Sequence, residues 1–318
     1  MITYASSWAV LGALKSKLLN KEVISSLEKT KDFNQALRIL TPYLEYIPSS
    51  PSPKNIEHSL NIKYIKSIVK ILRFLREDFY IILLLFIKEF DLFTFKVISK
   101  SIFYKKEIDR SLLYLDLPFL FFSSKMIDSI STLPDLIQIC TKDKLLRKIY
   151  LQAFEELNKD KNFFRFSSYL DREYLRLINN NLIYLDNETK RILKYYIEIN
   201  ILIWIIRLKF IHKEKYPYFY IIEDKSFSYY QILRKILESK SVKEALSFLE
   251  EELLRKYKKT QTLQEDNFSQ ILKDNLYHFC VSKKKPVFYS PLPYICFFLN
   301  QKILLQKTFY LINSIYYD

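Results

Sequence analysis

Apolar residues recur three and four positions apart along nearly the whole chain, the spacing of an amphipathic helix. In places the apolar share rises until a helix would be buried on most of its sides. YYIEINILIWIIRLKFIHKEK, residues 195–215, is such a stretch, yet it carries Glu198 near its start and Arg207 and Lys209 near its end. Glu198, Leu202, Ile205 and Lys209 share one helical stripe, while Arg207, nine residues past the acid, lies about 180° around. A similar order occurs earlier in the chain. DLFTFKVISK places Asp91 and Lys100 nine apart, with Phe95, Val97 and Ile98 where the later helix has Leu202, Trp204 and Ile205. Acid before base along a helix is what the macrodipole favours, and long basic side chains reach water from an apolar face, so the order alone requires no ligand.

Prolines punctuate the pattern. Pro42, Pro48, Pro51 and Pro53 mark a break after the first helices, with SSPSP, residues 49–53, as an exposed loop. Pro118 and Pro134 bracket the start of a middle stretch, Pro217 closes the charged apolar helix, and Pro286, Pro291 and Pro293 precede the last one. KTKDFNQALRIL at 29–40 and ESKSVKEALSFL at 238–249 share a polar lead-in, an N-cap candidate (Asp32, Ser241), an Ala-Leu pair and a closing leucine. Thr132-Leu133-Pro134-Asp135 is a fainter counterpart between them. PLPYICFFLNQKILLQKTFYLINSIYYD is a further long aromatic-aliphatic helix, without the acid. The Ala-Leu type of helix comes first and the long helix last. The expectation is an all-α protein of three similar helical-bundle units, residues 1–112, 113–216 and 217–318.

Composition narrows the chemistry. The 318 residues are 49% hydrophobic and include 25 Phe and 25 Tyr, ample for a large core and far from a disordered composition. Gly12 is the single glycine. Phosphate-cradling loops and nucleotide fingerprints need several glycines where backbone approaches a ligand, so none can be built, and no GxSxG elbow is present. Tight primed hairpin turns are excluded on the same ground, which leaves helices.

The formal charge of +15 admits an acidic partner such as nucleic acid or an anionic surface, but the lysines are scattered. The densest basic cluster, Arg255-Lys256-Tyr257-Lys258-Lys259, follows Glu250-Glu251-Glu252, again acid then base along one helix. Cys140, Cys280 and Cys296 are odd in number and read as buried thiols in a reducing compartment. His58, His212 and His278 are isolated, and His278 with Cys280 supplies one ligand pair where a zinc site needs two. No metal, cofactor or catalytic site is expected. The longest apolar run, Phe79 to Ile87, ends at Lys88-Glu89, short of the roughly 20 residues of a membrane helix, and MITYASSWAV lacks the basic start of a secretory leader.

With this order of helices in view, the chain resembles the C-subunit family of the V/A-type ATPases, whose eukaryotic member is known as the d subunit. The opening carries Leu14-Lys15-Ser16-Lys17-Leu18-Leu19, Ala36-Leu37, Leu40-Thr41 and Tyr43, similar to the family's first helices. Leu170-Asp171-Arg172-Glu173-Tyr174, the helix from Glu198 to Ile206-Arg207-Leu208-Lys209, and Pro293-Tyr294 onward resemble later family segments. The chain departs from the pattern at three places. Gly12 stands where an Arg is usual, Thr94 and Ile201 where an Asn follows the acid, and Asn300-Gln301-Lys302 where the final helix has an acid.

The resemblance implies three helical units in pseudo-threefold arrangement as a funnel-shaped socket, seated on the cytoplasmic face of the membrane proteolipid ring. It would receive the central shaft, formed by the D and F subunits, and pass torque between shaft and ring without catalysing anything itself. On that reading Asp91, Lys100, Glu198, Arg207 and Lys209 are candidate interface or inter-unit charges. The competing reading is a basic helical-repeat protein that binds nucleic acid, supported by the charge and by the many aromatics available for base stacking. An enzyme finds no support: Asp171 and Glu173 point apart on a helix, and no Ser-His-Asp or Cys-His set can be assembled.

Overall fold

The computed structural model describes residues 2–75, 77–213, 230–257, 262–265, 267–282 and 290–317. Every regular element among them is helical, and no strand occurs among the described residues. The fold is all-α. Pro217, Pro286 and the side chains of the Arg255–Lys259 cluster lie outside the described residues.

Helix starts follow the polar residues that precede each apolar run. Helices α1 (Ile2–Lys15), α2 (Lys21–Glu28), α3 (Phe33–Leu40), α4 (Pro53–Leu72) and α5 (Glu77–Phe103) open the chain. The Asn20 side chain accepts the Val23 amide at 2.9 Å and Asp32 accepts Gln35 N at 2.9 Å, so each satisfies a donor left over in the first turn. Ser52 caps α4, with Pro53 at the first helical position, where a missing N–H costs nothing. The SSPSP loop is exposed up to that cap.

Next come α6 (Ser124–Asp128), α7 (Leu133–Cys140), α8 (Arg147–Asp160), α9 (Phe163–Asn180) and α10 (Asn187–Ile206). Thr132 and Asp135 form a reciprocal capping box on α7. The last four are α11 (Tyr230–Glu238), α12 (Val242–Tyr257), α13 (Phe268–Ser282) and α14 (Leu292–Tyr317). Ser241 accepts Glu244 N at 3.2 Å, so both N-cap candidates read from the repeat, Asp32 and Ser241, act as caps.

The chain divides into two compact units, Met1–Leu170 with Pro286–Asp318, and Asp171–Lys285. In the first, α14 packs against α2, α3 and α4 and is buried along most of its length, from Leu292 to Ile312. An apolar helix without a polar face needs neighbours on several sides, and these provide them. Polar contacts fix its register: Tyr64 OH donates to the Phe298 carbonyl at 3.3 Å, Gln301 Nε2 to the Leu19 carbonyl at 2.9 Å, and Asn313 Nδ2 to Glu57 at 2.7 Å. Lys302 pairs with Glu89, and Lys307 with Glu28 at 2.7 Å. In the second unit α10 packs with α13 and α11 with α12. Phe279 of α13 meets Tyr195 edge-on at 5.7 Å and lies under the Arg191 guanidinium at 5.3 Å.

With one glycine in the chain, left-handed backbone falls to other residues. Lys105, Asp116, Phe119, Lys161 and Lys213 all have φ between 50° and 68°. Gly12 itself sits in the middle of α1, with nothing within 4 Å of where a Cβ would be.

Candidate functional site

The charges singled out on the long helices meet two different fates. On α5, Asp91 is fully buried, whereas Lys100 is exposed nine residues on. Asp91 does not pair with Lys100. Its partner is Lys88, one turn earlier, whose Nζ lies 2.7 Å from Asp91 Oδ2 and 3.2 Å from Asp143 Oδ2. Lys88 and Asp143 are buried as well. One ammonium therefore serves two carboxylates in the interior, and both carboxylates have further donors. Asp91 Oδ1 accepts the Phe121 amide at 2.8 Å, and Asp143 Oδ1 accepts the amides of Leu145 at 2.9 Å and Leu146 at 3.1 Å. A buried charge is tolerated only when paired and hydrogen-bonded, and here the requirement is met for all three groups.

Electrostatics follow from this crowding. Burial pushes the Asp91 carboxyl up to about 6, against the pull of Lys88 and the Phe121 amide, and the neighbouring Asp143 charge adds to the rise. The Cys140 thiol and the Tyr150 phenol are pushed up by burial and then by the two carboxylates. The Tyr150 ring lies 4.3 Å from Phe95 of α5, and its hydroxyl has no hydrogen-bond partner among the described residues.

On α10, Glu198 is buried and Arg207 is exposed, as expected for charges on opposite sides of one helix. The helix ends in a π turn, Arg207–Ile211, in which the His212 amide donates to the Arg207 carbonyl five residues back at 2.9 Å. This turn aims Lys209 at the end of α11. Its Nζ donates to the carbonyls of Ile236 at 2.9 Å, Leu237 at 2.6 Å and Ser239 at 2.5 Å. A cation on the last carbonyls of a helix satisfies orphan acceptors and opposes the negative end of the dipole. Desolvation lowers the pKa of Lys209, the expected direction for an ammonium drawn partly from water.

A third polar cluster joins α4 to its surroundings. His58 Nε2 donates to the Leu113 carbonyl at 3.0 Å if its Nδ1 takes the Tyr46 hydroxyl proton, at 2.8 Å, and its ring stacks on Tyr114 at 4.9 Å. Burial lowers the His58 pKa, which favours this neutral form. Tyr114 N donates to Thr94 Oγ1 at 3.3 Å, so Thr94 is buried and hydrogen-bonded.

Among the described residues no group of three or more His, Cys, Asp or Glu is arranged to hold a metal ion. No helix among them is long and apolar enough to cross a membrane. Sequence reading picked out Asp91 and passed over Lys88 and Asp143. The local signal was present: Lys88 and Asp91 stand three apart on an otherwise apolar helix, the spacing of a one-turn ion pair. Asp143 carried no such signal, since only the fold brings it to α5.

Residues 8–299 match the model of a protein family described as ATP synthase (C/AC39) subunit. No curated protein matches the chain.

Proposed function

The chain belongs to the ATP synthase (C/AC39) subunit family, whose members are parts of the V/A-type rotary ATPases, and from that premise we propose that it is a non-catalytic coupling element of the rotor. In this reading it sits peripherally on the cytoplasmic face of the membrane. It joins the central shaft, made of the D and F subunits, to the proteolipid ring and carries torque between them. The observation that carries the reading is the family match over residues 8–299, nearly the whole chain.

The three-unit organisation with limits at 112 and 216, as a pseudo-threefold socket, belongs to the same proposal. Its support is the recurrence of one local design. A short helix, a capping side chain and a second helix, longer in the last case, occur as α2–Asp32–α3, α6–Thr132–α7 and α11–Ser241–α12. A long helix closes each set: α5, α10 and α14. On this reading the interface role falls to the exposed charges at the ends of the first two, Lys100 and Arg207, since Asp91 and Glu198 are buried and the half-buried Lys209 bonds the carbonyls at the end of α11.

Torque transmission asks for stiffness rather than a reactive group. Aromatic rings fill much of the core, with Phe86, Phe95, Phe122, Phe166, Phe268, Phe298, Tyr150 and Tyr294 among its largest fully buried side chains. Close-packed interiors of this kind deform little under load. Rings used in this way are not available to stack on bases, which weighs against nucleic-acid binding.

The test is affinity purification of the tagged protein from gently solubilised native membranes, with mass spectrometry of what accompanies it. Recovery of the shaft proteins and proteolipid is the expected result. Recovery of RNA and ribosomal proteins alone would replace this reading with the nucleic-acid one.

A further inference from the structure

Cations that are scattered in the sequence gather on one helix of the first unit. Residues 2–75 hold eleven Lys or Arg against five Asp or Glu, a surplus of six out of the chain's +15. Ser59, Lys63, Lys66 and Lys70 of α4, with Arg73 at its C-cap, stand four and three apart and so form a single stripe. The 42–47 segment is fastened to the first half of that stripe. Ser59 Oγ accepts the amides of Glu45 and Tyr46, each at 3.0 Å. Lys63 Nζ donates to the carbonyls of Pro42 at 2.9 Å and Leu44 at 3.3 Å, and Lys66 pairs with Glu45 at 2.8 Å. Lys70 and Arg73 continue the stripe into water, and Lys17, just past α1, is exposed as well. None of these three has an ion-pair partner among the described residues. Burial lowers the Lys63 pKa against the pull of Glu45, and repulsion from Lys17 and Lys70 adds to the fall, so these ammonium groups lie within range of one another.

Two apolar side chains stand beside this charge. Tyr46 and Ile47, next to Glu45, are 43% and 64% exposed. The backbone there is fixed: Ser59 Oγ donates to the Tyr46 carbonyl at 2.7 Å, and Pro48 on the other side is buried. Ile47 is therefore held out in water by an ordered segment. Apolar tips flanked by lysines are how an interfacial surface meets a bilayer, with the tips at the acyl boundary and the ammonium groups at the headgroups.

We propose that this face of the first unit, the Lys63–Arg73 stripe with Lys17 and the Tyr46–Ile47 tip, docks on the anionic headgroups of a lipid bilayer. The inference rests on the peripheral placement proposed above and adds a direct lipid contact to it. Charge complementarity sets the class of partner: four cations along about 15 Å of helix, joined by Lys17 and countered by Glu45, fit a surface of diffuse negative charge. Four of the five cations are lysines, flexible and hydrated point charges, whereas carboxylates on a protein partner are best met by arginine forks. Nucleic acid is a poorer fit, because Ile47 has no ring to stack on a base and the Tyr46 ring is held at His58.

Co-sedimentation of the full chain with vesicles tests this. Vesicles of phosphatidylcholine and phosphatidylglycerol in equal parts are expected to bind the chain and to release it at high salt, and vesicles of phosphatidylcholine alone are expected not to hold it. The triple variant Lys17→Gln, Lys70→Gln, Arg73→Gln breaks no ion pair among the described residues. Its affinity for the mixed vesicles is expected to fall about fivefold per cation, about a hundredfold for the three. Lys142→Gln, Lys144→Gln, Lys148→Gln removes the same charge from exposed positions elsewhere in the first unit and is expected to keep most of the affinity. Ile47→Ser is expected to weaken binding about tenfold while leaving its salt dependence unchanged. Equal binding to the two kinds of vesicle, or equal loss in the two triple variants, overturns the proposal. So does RNA retention that is lost in the first triple variant while vesicles are not bound, a result that gives the face to a nucleic acid. The isolated chain is the reagent, so failure to recover rotor proteins from native membranes would strike the rotor reading and leave a positive vesicle result standing.

Discussion

Two buried carboxylates, Asp91 and Asp143, depend on the buried ammonium of Lys88. Lys88→Met removes the ammonium and leaves Asp91 and Asp143 without their cation, which is expected to cost about 3–5 kcal/mol. Urea unfolding measures it. The comparison is Arg234→Ala, which breaks a pair with Glu238 at 2.9 Å on the open surface of α11 and is expected to leave the midpoint unmoved. The contact distances are similar, but Lys88 is buried and serves two carboxylates where Arg234 is exposed and serves one. At this scale the sequence was half legible. Asp91 stands out as an acid inside an apolar helix and reads, with Lys100, as a candidate interface or inter-unit charge; the helix supplies it a partner, Lys88, one turn away. Spacing of nine residues puts two side chains on opposite faces; spacing of three puts them together.

The helices offer tests that do not disturb the core. Gly12 lies mid-helix in α1, exposed and with open space at its missing Cβ, so Gly12→Ala is expected to raise stability by about 0.5–1 kcal/mol. At the end of α8, Lys161 closes the helix at φ 50°, a conformation that favours glycine. Lys161→Gly relieves that conformation, and a gain of about 0.5–1 kcal/mol is expected once the greater freedom of the unfolded glycine is set against it. Both are read from thermal or urea unfolding. In the second unit Lys209→Met strips the cation from the three carbonyls at the end of α11. A loss of about 1–2 kcal/mol is expected, with faster amide exchange in α11 as its local signature. Caps were the most legible feature of this scale: Asp32 and Ser241 were visible because an N-cap is a local contract between a polar side chain and the amide three residues on. The π turn at Arg207–Ile211 was not visible, because an extra residue in a helical turn leaves the apolar period nearly intact over so short a span.

For the molecule as a whole, periodicity tells which residues turn inward and says nothing about which helix they meet. The all-α class followed from the period and the lone glycine; the pairing of α14 with α2, α3 and α4 did not, since its partners lie more than two hundred residues away along the chain. That pairing has a mechanical consequence. The first unit is closed by joining the two ends of the described chain, so residues 2–170 have no complete core without α14. The chain has two tryptophans, Trp8 in the first unit and Trp204 in the second, and Trp8 lies 6.1 Å from Tyr294 at the start of α14. Trp204→Phe leaves Trp8 as a reporter of the first unit alone. In that background Trp8 fluorescence is expected to follow a cooperative urea transition, and Lys88→Met is expected to move it to lower urea. Removal of residues 292–318 should abolish it, leaving a gradual change and dye-binding apolar surface where α4 loses its cover at Tyr64. A truncated chain that kept the cooperative Trp8 transition would mean that the N-terminal helices hold a core of their own, and that α14 is an addition to the unit rather than its closing element.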